Sequence, residues 1–578
     1  MDTGPAIIDV QGRPLVRLPA MGPRRARADA GTGVPRPDGS LLPPGLGWSS
    51  AWPYDASKLA SQEMGEWNPL IRSPDSEINQ YRDRMVARSR DLARNSGWAA
   101  GGITRILDNV VGTHLRLLAS PDYRALAVRF GIKAFDAGWA NEFRQAVEAL
   151  WRGYVDHPQR WSDVSRQMTL GQMFRVALRH KLIDGDSLIL SFWKPERTGY
   201  GAADYATSFM LVDPDRLSNP YQALDTATLR GGIELDADGV ARAYHIREAE
   251  QNDWYNAVQA NRWERVPRED ADGWRRVIHD FDADRAGQHR GIGVFTPVLS
   301  HMRMLARYYG VELQQATLAA TFGTYVSSPN DPALVQDALG AGAGGEEDSG
   351  LGLYQSMRSD FHRERPTLLN GVVMPTLFPG EKIETVAAAH PHSNFGDFAH
   401  EMLCVFAAAT GVSVEQVTQD WSRTNYSSAR AALMETWKTL SRRRAEFATN
   451  TASPVYGVWL QESMELGELP LPAGAPDFVE AAAAYSRCRW LGPARGWVDP
   501  TKEPAGAVLR MEAGTSSLEI EAAEQGLDWE EVAQQRAIEQ RTYRELGVPP
   551  PKWAQMQVPD NAFFKDDSET QAQDVNQK

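Results

Sequence analysis

The sequence predicts an α+β fold, and three observations carry that prediction. Apolar residues recur at helical spacing through 74–110, 140–182 and 295–323. Between about 183 and 280 the pattern shortens to strands separated by turn residues. From 325 to 390 an irregular, Gly-containing stretch lies between two helical patterns, which reads as a module inserted between helices.

Taken in order, residues 1–50 are rich in Pro, Gly and Arg and have no period. They read as a flexible arm, with Arg24, Arg25 and Arg27 solvated. Ser73-Pro74-Asp75-Ser76-Glu77 is a helix start: a capping hydroxyl, proline in the first turn, then acidic residues. The charged helix to Arg94 is expected to break over 95–102, and a second, from Ile103, to stop at Gly112. Two helices follow within 140–182, with Phe143, Val147, Leu150 and Trp151 on one face. Ser187-Leu188-Ile189-Leu190-Ser191-Phe192 and Phe209-Met210-Leu211-Val212 read as strands, the second ending in the turn Asp213-Pro214-Asp215. Asp236-Ala237-Asp238-Gly239 between two further strands is a hairpin signal. The 295–323 helix carries the stripe Phe295, Val298, Leu299, Met302, Leu305, Tyr309 and Leu313. Another helix starts near Asn394 and ends at Gly411. The longest helical pattern, 427–466, contains Pro454, which is expected to kink or break it. Residues 515–546 are helical and acidic. The tail from Pro549, polar and Gln-rich, is expected to be disordered.

At 578 residues the chain is long enough for two to four domains. Its net charge of −14 is unlike the basic footprint of a sequence-specific DNA binder. It is compatible with surrounding DNA without gripping it, because acidic walls repel phosphate. Only two cysteines occur, Cys404 and Cys488, so no disulfide framework is implied. No apolar run reaches about 18 residues, and Ala6-Ile7-Ile8 is cut by Asp9, so neither a membrane span nor a signal core is expected. The chain is expected to be made and assembled in the cytoplasm.

The glycine run 340–345 looks like a phosphate loop but lacks the Gly-Lys-Ser/Thr ending. Asp280, Asp282 and Asp284 have the opening spacing of a calcium loop, yet Arg285 stands where glycine is needed and Gly291 where the bidentate glutamate belongs. His390 and His392 have no second ligand pair, which argues against zinc. No cofactor and no metal ligand set is therefore expected. The pairs Asp184/Asp186 and Asp213/Asp215 are the exception, since paired carboxylates can hold two metal ions. They support a runner-up reading as a metal-dependent nucleic-acid-processing enzyme, against the simpler reading that they make turns.

The most informative stretch is 407–440. A small-residue helix ends at Gly411, a polar loop follows, and a second helix starts at Tyr426. The loop comprises Gln419, Asp420, Trp421, Ser422, Arg423, Thr424 and Asn425. It is too polar for a core and holds no nucleophile–base pair, so it reads as a loop held out to touch something. Asp420 and Arg423 are expected to be exposed, and Trp421 to anchor the loop base against the following helix.

Six strings in order resemble the lambda-like family of tailed-phage portal proteins. They are 95–117 with Asn109-Val110-Val111-Gly112; Gly185-Asp186; Ile278-His279-Asp280-Phe281 continuing through Arg285-Ala286-Gly287-Gln288-His289-Arg290-Gly291; Pro379-Gly380-Glu381; Thr410-Gly411-Val412 with Asp420-Trp421-Ser422 and Asn425-Tyr426-Ser427-Ser428-Ala429-Arg430; and Trp490-Leu491-Gly492-Pro493 with Asp499-Pro500-Thr501-Lys502-Glu503. The match runs from about 70 to 548.

The resemblance implies a ring-forming portal fold: a wing, a two-helix stem, a clip inserted between the stem helices, and a helical crown. Residues 1–50 would be the arm and 51–293 the wing. The stem would be 294–325 and 393–412, the clip 326–392, and 413–426 the tunnel-loop region. Residues 427–548 would supply a kinked long helix, the rest of the wing and the crown, and 549–578 the tail. It further implies a non-enzymatic, dodecameric ring at one capsid vertex, through which double-stranded DNA passes in packaging and ejection. Partners would be other copies of itself, the terminase large subunit, the major capsid protein and a head–tail connector or adaptor, with no membrane. The tunnel loop would be 419–425. Gly340, Gly342, Gly344, Glu346, Glu347 and Asp348 would lie in the partner-binding clip.

Overall fold

The computed structural model describes residues 69–321 and 395–549, apart from 497–498, together with a few short segments outside these spans. The chain divides into two compact units, Met1–Arg72 and Ser73–Lys578. In the first, β1 (Ala6–Ile8) pairs antiparallel with β2 (Pro14–Arg17), a hairpin that the composition of the arm does not announce.

In the second unit α1 (Pro74–Ile78) starts where the sequence places it, with Ser73 capping it by accepting from the Ser76 amide. α2 (Arg82–Asn95) and α3 (Gly97–Val110) follow. The break expected over 95–102 shrinks to one residue, Ser96, which caps α3 through the Ala99 amide. The glycines are helical because tertiary packing outweighs their low propensity. At Gly102 a Cβ would stand 3.0 Å from the Phe406 ring, so its absence admits that ring. β3 (Arg116–Ala119), α4 (Tyr123–Phe130), α5 (Ala137–Val155) and α6 (Leu170–Asp184) come next. Phe143, Val147 and Trp151 are buried along α5, as their spacing predicts, while Leu150 lies at the margin.

The strand block forms two sheets. β4 (Asp186–Trp193), β5 (Thr207–Val212) and β10 (Val277–Phe281) make an antiparallel sheet in the order β10-β4-β5. β6 (Leu229–Arg230), β7 (Ile233–Leu235), β8 (Ala241–Arg247) and β9 (Trp263–Pro267) make a four-stranded meander. Strand alternation sends Leu188, Leu190 and Val212 into a small core shared with Ile233, Tyr244 and Ile246, while Ile189 and Phe209 face the main helical core. The predicted turn is made by Asp236, whose side chain accepts from the Asp238 and Val240 amides, with Gly239 at φ +83°.

α7 (Leu299–Thr321) carries the predicted stripe, but its two ends differ. Phe295, Val298, Met302 and Leu305 are buried, whereas Tyr309 and Leu313 are exposed. The insert after α7 lies mostly outside the described residues, including Gly340, Gly342, Gly344, Glu346, Glu347, Asp348, His390 and His392. Its two ends pair antiparallel, β11 (Tyr325–Ser327) with β14 (Lys382–Glu384), and β12 (Pro366–Leu369) with β13 (Val372–Pro375) form a hairpin between them.

α8 (Phe395–Thr410) and α9 (Val414–Thr418) lead to α10 (Tyr426–Phe447). Pro454 does not break the long helix. It sits in the first turn of α11 (Ser453–Glu465), and the preceding turn, Ala448–Ala452, widens to π geometry. The widened turn lets Asn450 and Thr451 donate to the buried Asp280, at 3.1 and 2.9 Å. Tyr456 and Trp459 of α11 join Trp151 in an aromatic cluster with centroids 5.0–5.6 Å apart. The buried Glu462 accepts from the Ala206 and Thr207 amides and fastens α11 to β5. α12 (Phe478–Tyr485) precedes β15 (Cys488–Leu491), which pairs with β3 across 370 residues of sequence or so. α13 (Lys502–Glu512), α14 (Leu518–Glu524) and α15 (Trp529–Glu545) end the described chain. No helix among the described residues is long and apolar enough to cross a membrane.

Candidate functional site

The polar loop between α9 and α10 is built from its ends inward. α8 stops at Gly411, in the left-handed region at φ +72°, where a Cβ would lie 2.8 Å from the Thr439 methyl. Arg443 of α10 donates to the Thr410 carbonyl at 2.7 Å and covers the C-terminus of α8. Ser413 and Gln416 form a reciprocal capping box at the start of α9. Gln419 ends that short helix in the left-handed conformation, φ +58°, its amide donating to the Glu415 carbonyl. Asn425 accepts from the Ser428 amide at 2.9 Å and caps α10. Between these caps Asp420 accepts from the Ser422 amide at 2.9 Å, and Thr424 donates to the Trp421 carbonyl. Hydrogen bonds from Ser422 hold the Asp420 carboxyl below the usual carboxylate range.

Asp420 and Arg423 are exposed on the single chain. Arg423 reaches back along α8 to Asp397 in that helix's first turn, at 3.3 Å, with both groups largely in solvent. Trp421 is 39% exposed, more open than a fully anchored indole would be. The reason is local. The Asp420 turn and the Thr424 hydroxyl bond set the backbone of a short loop before the indole can reach a core.

The four aspartates behind the enzyme reading are brought together, but by arginines. Arg90 binds both oxygens of Asp184, at 2.7 and 2.9 Å, and also Asp213 and Asp215, each at 2.8 Å. Arg82 binds Asp186 at 3.2 Å, and Arg290 donates to the same carboxylate while its other nitrogens reach the Leu217, Gly231 and Pro214 carbonyls. Burial alone would raise the Asp186 pKa, but Arg290 and Arg82 overcome it and hold the carboxyl far below its ordinary range. Asp184 is lowered against its own burial by His180 and Arg90. Asp215 is raised, chiefly by burial. Asp184 and Asp186 are held by guanidinium groups and an amide, so this cluster is a buried charge network joining α2, α6, β4 and the segment before α7. This geometry does not support the metal-dependent enzyme reading. Among the described residues no group of three or more His, Cys, Asp or Glu is arranged to hold a metal.

The acidic spacing at 280–284 likewise has a structural account. Lys181 binds Asp280 at 2.8 Å and Asp282 at 2.9 Å. Burial would lower the lysine, and the two aspartates raise it instead. Sequence reasoning missed Arg443 and Arg444. Arg444 donates to the Asn109 and Pro493 carbonyls, joining α3, α10 and the segment after β15. Burial pushes it down to about 10. Nothing local distinguishes it from the solvated Arg442 two positions earlier.

Residues 60–444 match the family model described as phage portal protein, lambda family. The chain is 31% identical over 493 residues to the portal protein of Escherichia phage N15, covering 85% of this chain and 90% of that one. It is 30% identical over 494 residues to portal protein B of Escherichia phage lambda, with the same coverage. A solved structure described as the neck of an empty GTA particle computed with C6 symmetry aligns with a TM-score of 0.40 and 13% identity, over 80% of this chain and 94% of that one. The family match spans α1 to α10, and thus both the buried charge network and the loop. The chain belongs to the lambda family of phage portal proteins.

Proposed function

We propose that this portal protein assembles as a dodecameric ring at one capsid vertex and conducts double-stranded DNA in packaging and ejection. In this reading 51–293 is the wing, 294–325 and 393–412 the stem, 326–392 the clip, and 427–548 the long helix, remaining wing and crown. The ring carries no catalysis of its own. A separate terminase large subunit supplies ATP hydrolysis and docks on it, the major capsid protein surrounds it, and a head–tail connector binds it. Assembly takes place in the host cytoplasm and the product resides in the virion. Gly340, Gly342, Gly344, Glu346, Glu347 and Asp348 are the proposed partner-facing part of the clip.

The observation that carries the channel assignment is the loop 419–425. It is capped at both ends, polar, exposed and borne on helices, and it offers one cation, Arg423, against a net-acidic chain. Ring symmetry turns that residue into a circle of guanidinium groups, while the general acidity prevents the strong phosphate adhesion that would stall sliding. The test is Arg423→Glu. Because Arg423 and Asp397 pair in solvent, ring assembly by light scattering and negative-stain imaging should be unchanged, while DNA packaging or retention falls. Normal packaged length and infectivity in this variant and in a loop deletion would refute the channel role. A stable monomer or dimer of the wild-type protein would refute the ring.

A further inference from the structure

We infer that the C-terminal helices, residues 499–549, form a module held against the body chiefly by ion pairs, which ionic strength or a competing polyanion releases. Three observations carry this. The first is burial. α13, α14 and α15 have no buried residue, and Leu518, Ile520 and Ile538 on them are exposed, as are Leu527 and Leu546 beside them. Helices of 11, 7 and 17 residues lack the length to be stable alone in water, so whatever holds them is not a shared apolar core.

The second is the sorting of charge across the joint. The cations of the joint's ion pairs stand on the body: Arg116 of β3, Arg144 and Arg152 of α5, and Arg489 of β15. The carboxylates stand on the module: Glu519 of α14, Asp528 capping α15, and Glu530 and Glu531 in its first turn. Arg152 pairs with Glu531 at 2.6 Å, Arg116 and Arg144 pair with Glu531 and Glu530, Arg489 pairs with Glu519, and Arg144 also lies 3.9 Å from Asp528. Arg152 and Arg489 are more than half exposed, so salt reaches these pairs first, whereas Asp528 is 5% exposed and forms the inner pin.

The third is the space left in the joint. A cavity of about 170 Å³ lies among Leu118, Arg144, Asp528 and Trp529, and one of about 730 Å³ among His114, Arg175, Pro493 and Gly526. The backbone contributes a single close corner, where Gly526, at φ +68°, abuts the Gly492 carbonyl and the Arg495 amide donates to the Glu524 carbonyl. Opening the joint therefore exchanges screened charge pairs for solvated ones, which suits a region that opens locally while the core stays closed. A polyanion brought against this face offers the same four arginines a competing partner.

The test is hydrogen exchange by mass spectrometry on the full-length protein as purified, in about 50 mM and about 500 mM NaCl at fixed pH. Amides of 502–545 should exchange at least about tenfold faster in high salt, while 97–110 and 453–465 keep their protection. Inorganic polyphosphate added at constant ionic strength should have the same effect. The double variant Arg489→Gln/Glu531→Gln, altered only at exposed positions, should show the high-salt pattern already in low salt. Charge reversal at the exposed pair, Arg489→Glu with Glu519→Arg, should restore protection lost in Arg489→Glu alone. Equal protection of 502–545 at both salt concentrations, or variants that match the parent, would overturn the inference, as would release of the core helices together with the module.

Discussion

Glu148 offers a direct test of the electrostatics beneath the C-terminal helices. It lies on α5 with its side chain 13% exposed, accepting from the Ala119 amide at 3.0 Å. Burial pushes its carboxyl up to about 7, and Asp528 pushes the same way, while Arg144, Arg116 and the Ala119 amide resist. The phenol of Tyr456 faces the same region from α11. Because the folded-state pKa stands above the ordinary 4.5, the native chain holds this proton more tightly than the unfolded one. The stability linked to it is fully present below about pH 4.5 and is lost as the pH rises through 7. At about 1.4 kcal/mol per pH unit, the displacement from 4.5 to about 7 is worth at most about 3.5 kcal/mol. Spread over an unfolding entropy of about 2 cal/mol/K per residue for a unit of this size, that is a shift of about 3 °C in thermal midpoint. Glu148→Gln removes the ionisation and keeps an acceptor for Ala119. Its midpoint relative to the parent should rise by about that amount between about pH 5 and pH 8, measured at one scan rate. A constant offset across that range would show that Glu148 does not titrate from a buried, proton-holding state.

Two further perturbations address the scaffold. Asp186→Asn leaves Arg82 and Arg290 buried with too little negative charge, and should cost about 3–5 kcal/mol, read as a fall in urea midpoint and soluble yield; a near-neutral effect would mean the network does not hold α2, α6 and β4 together. Gly185→Ala places a Cβ 2.4 Å from the Gly291 carbonyl carbon at φ +93° and should disrupt the α6–β4 corner, whereas Gly131→Ala, left-handed but with open space around it, should cost only about 1 kcal/mol. Equal midpoints for the two glycine variants would show that the close approach of Gly291 is not what requires glycine at 185.

Much of the fold was legible because it is local. Ser73 and the residues after it start α1, Gly112 and Gly411 stop helices, Asp236 with Gly239 turns a hairpin, and the spacing of Phe143, Val147 and Trp151 marks a buried face. Each depends on a few neighbouring residues and on backbone rules that act without the rest of the chain. The polar loop was legible for the same reason: Asn425 caps α10, and the residues before it are too polar to bury.

What only the tertiary structure decided are the places where distant segments meet. Gly102 lies in helix where the Phe406 ring fills the space of its missing side chain, and Pro454 follows a π turn whose Asn450 and Thr451 bind the remote Asp280. β3 and β15 are unremarkable in isolation and become strands by pairing with each other. The same holds for chemistry. Asp184, Asp186, Asp213 and Asp215 read in sequence as carboxylates free to hold metal, and in space three arginines from remote positions occupy them. Sequence determines which groups are charged and which backbones turn; whether a charge is available depends on which groups the fold brings within about 4 Å of it, a distance the chain fixes only when it closes.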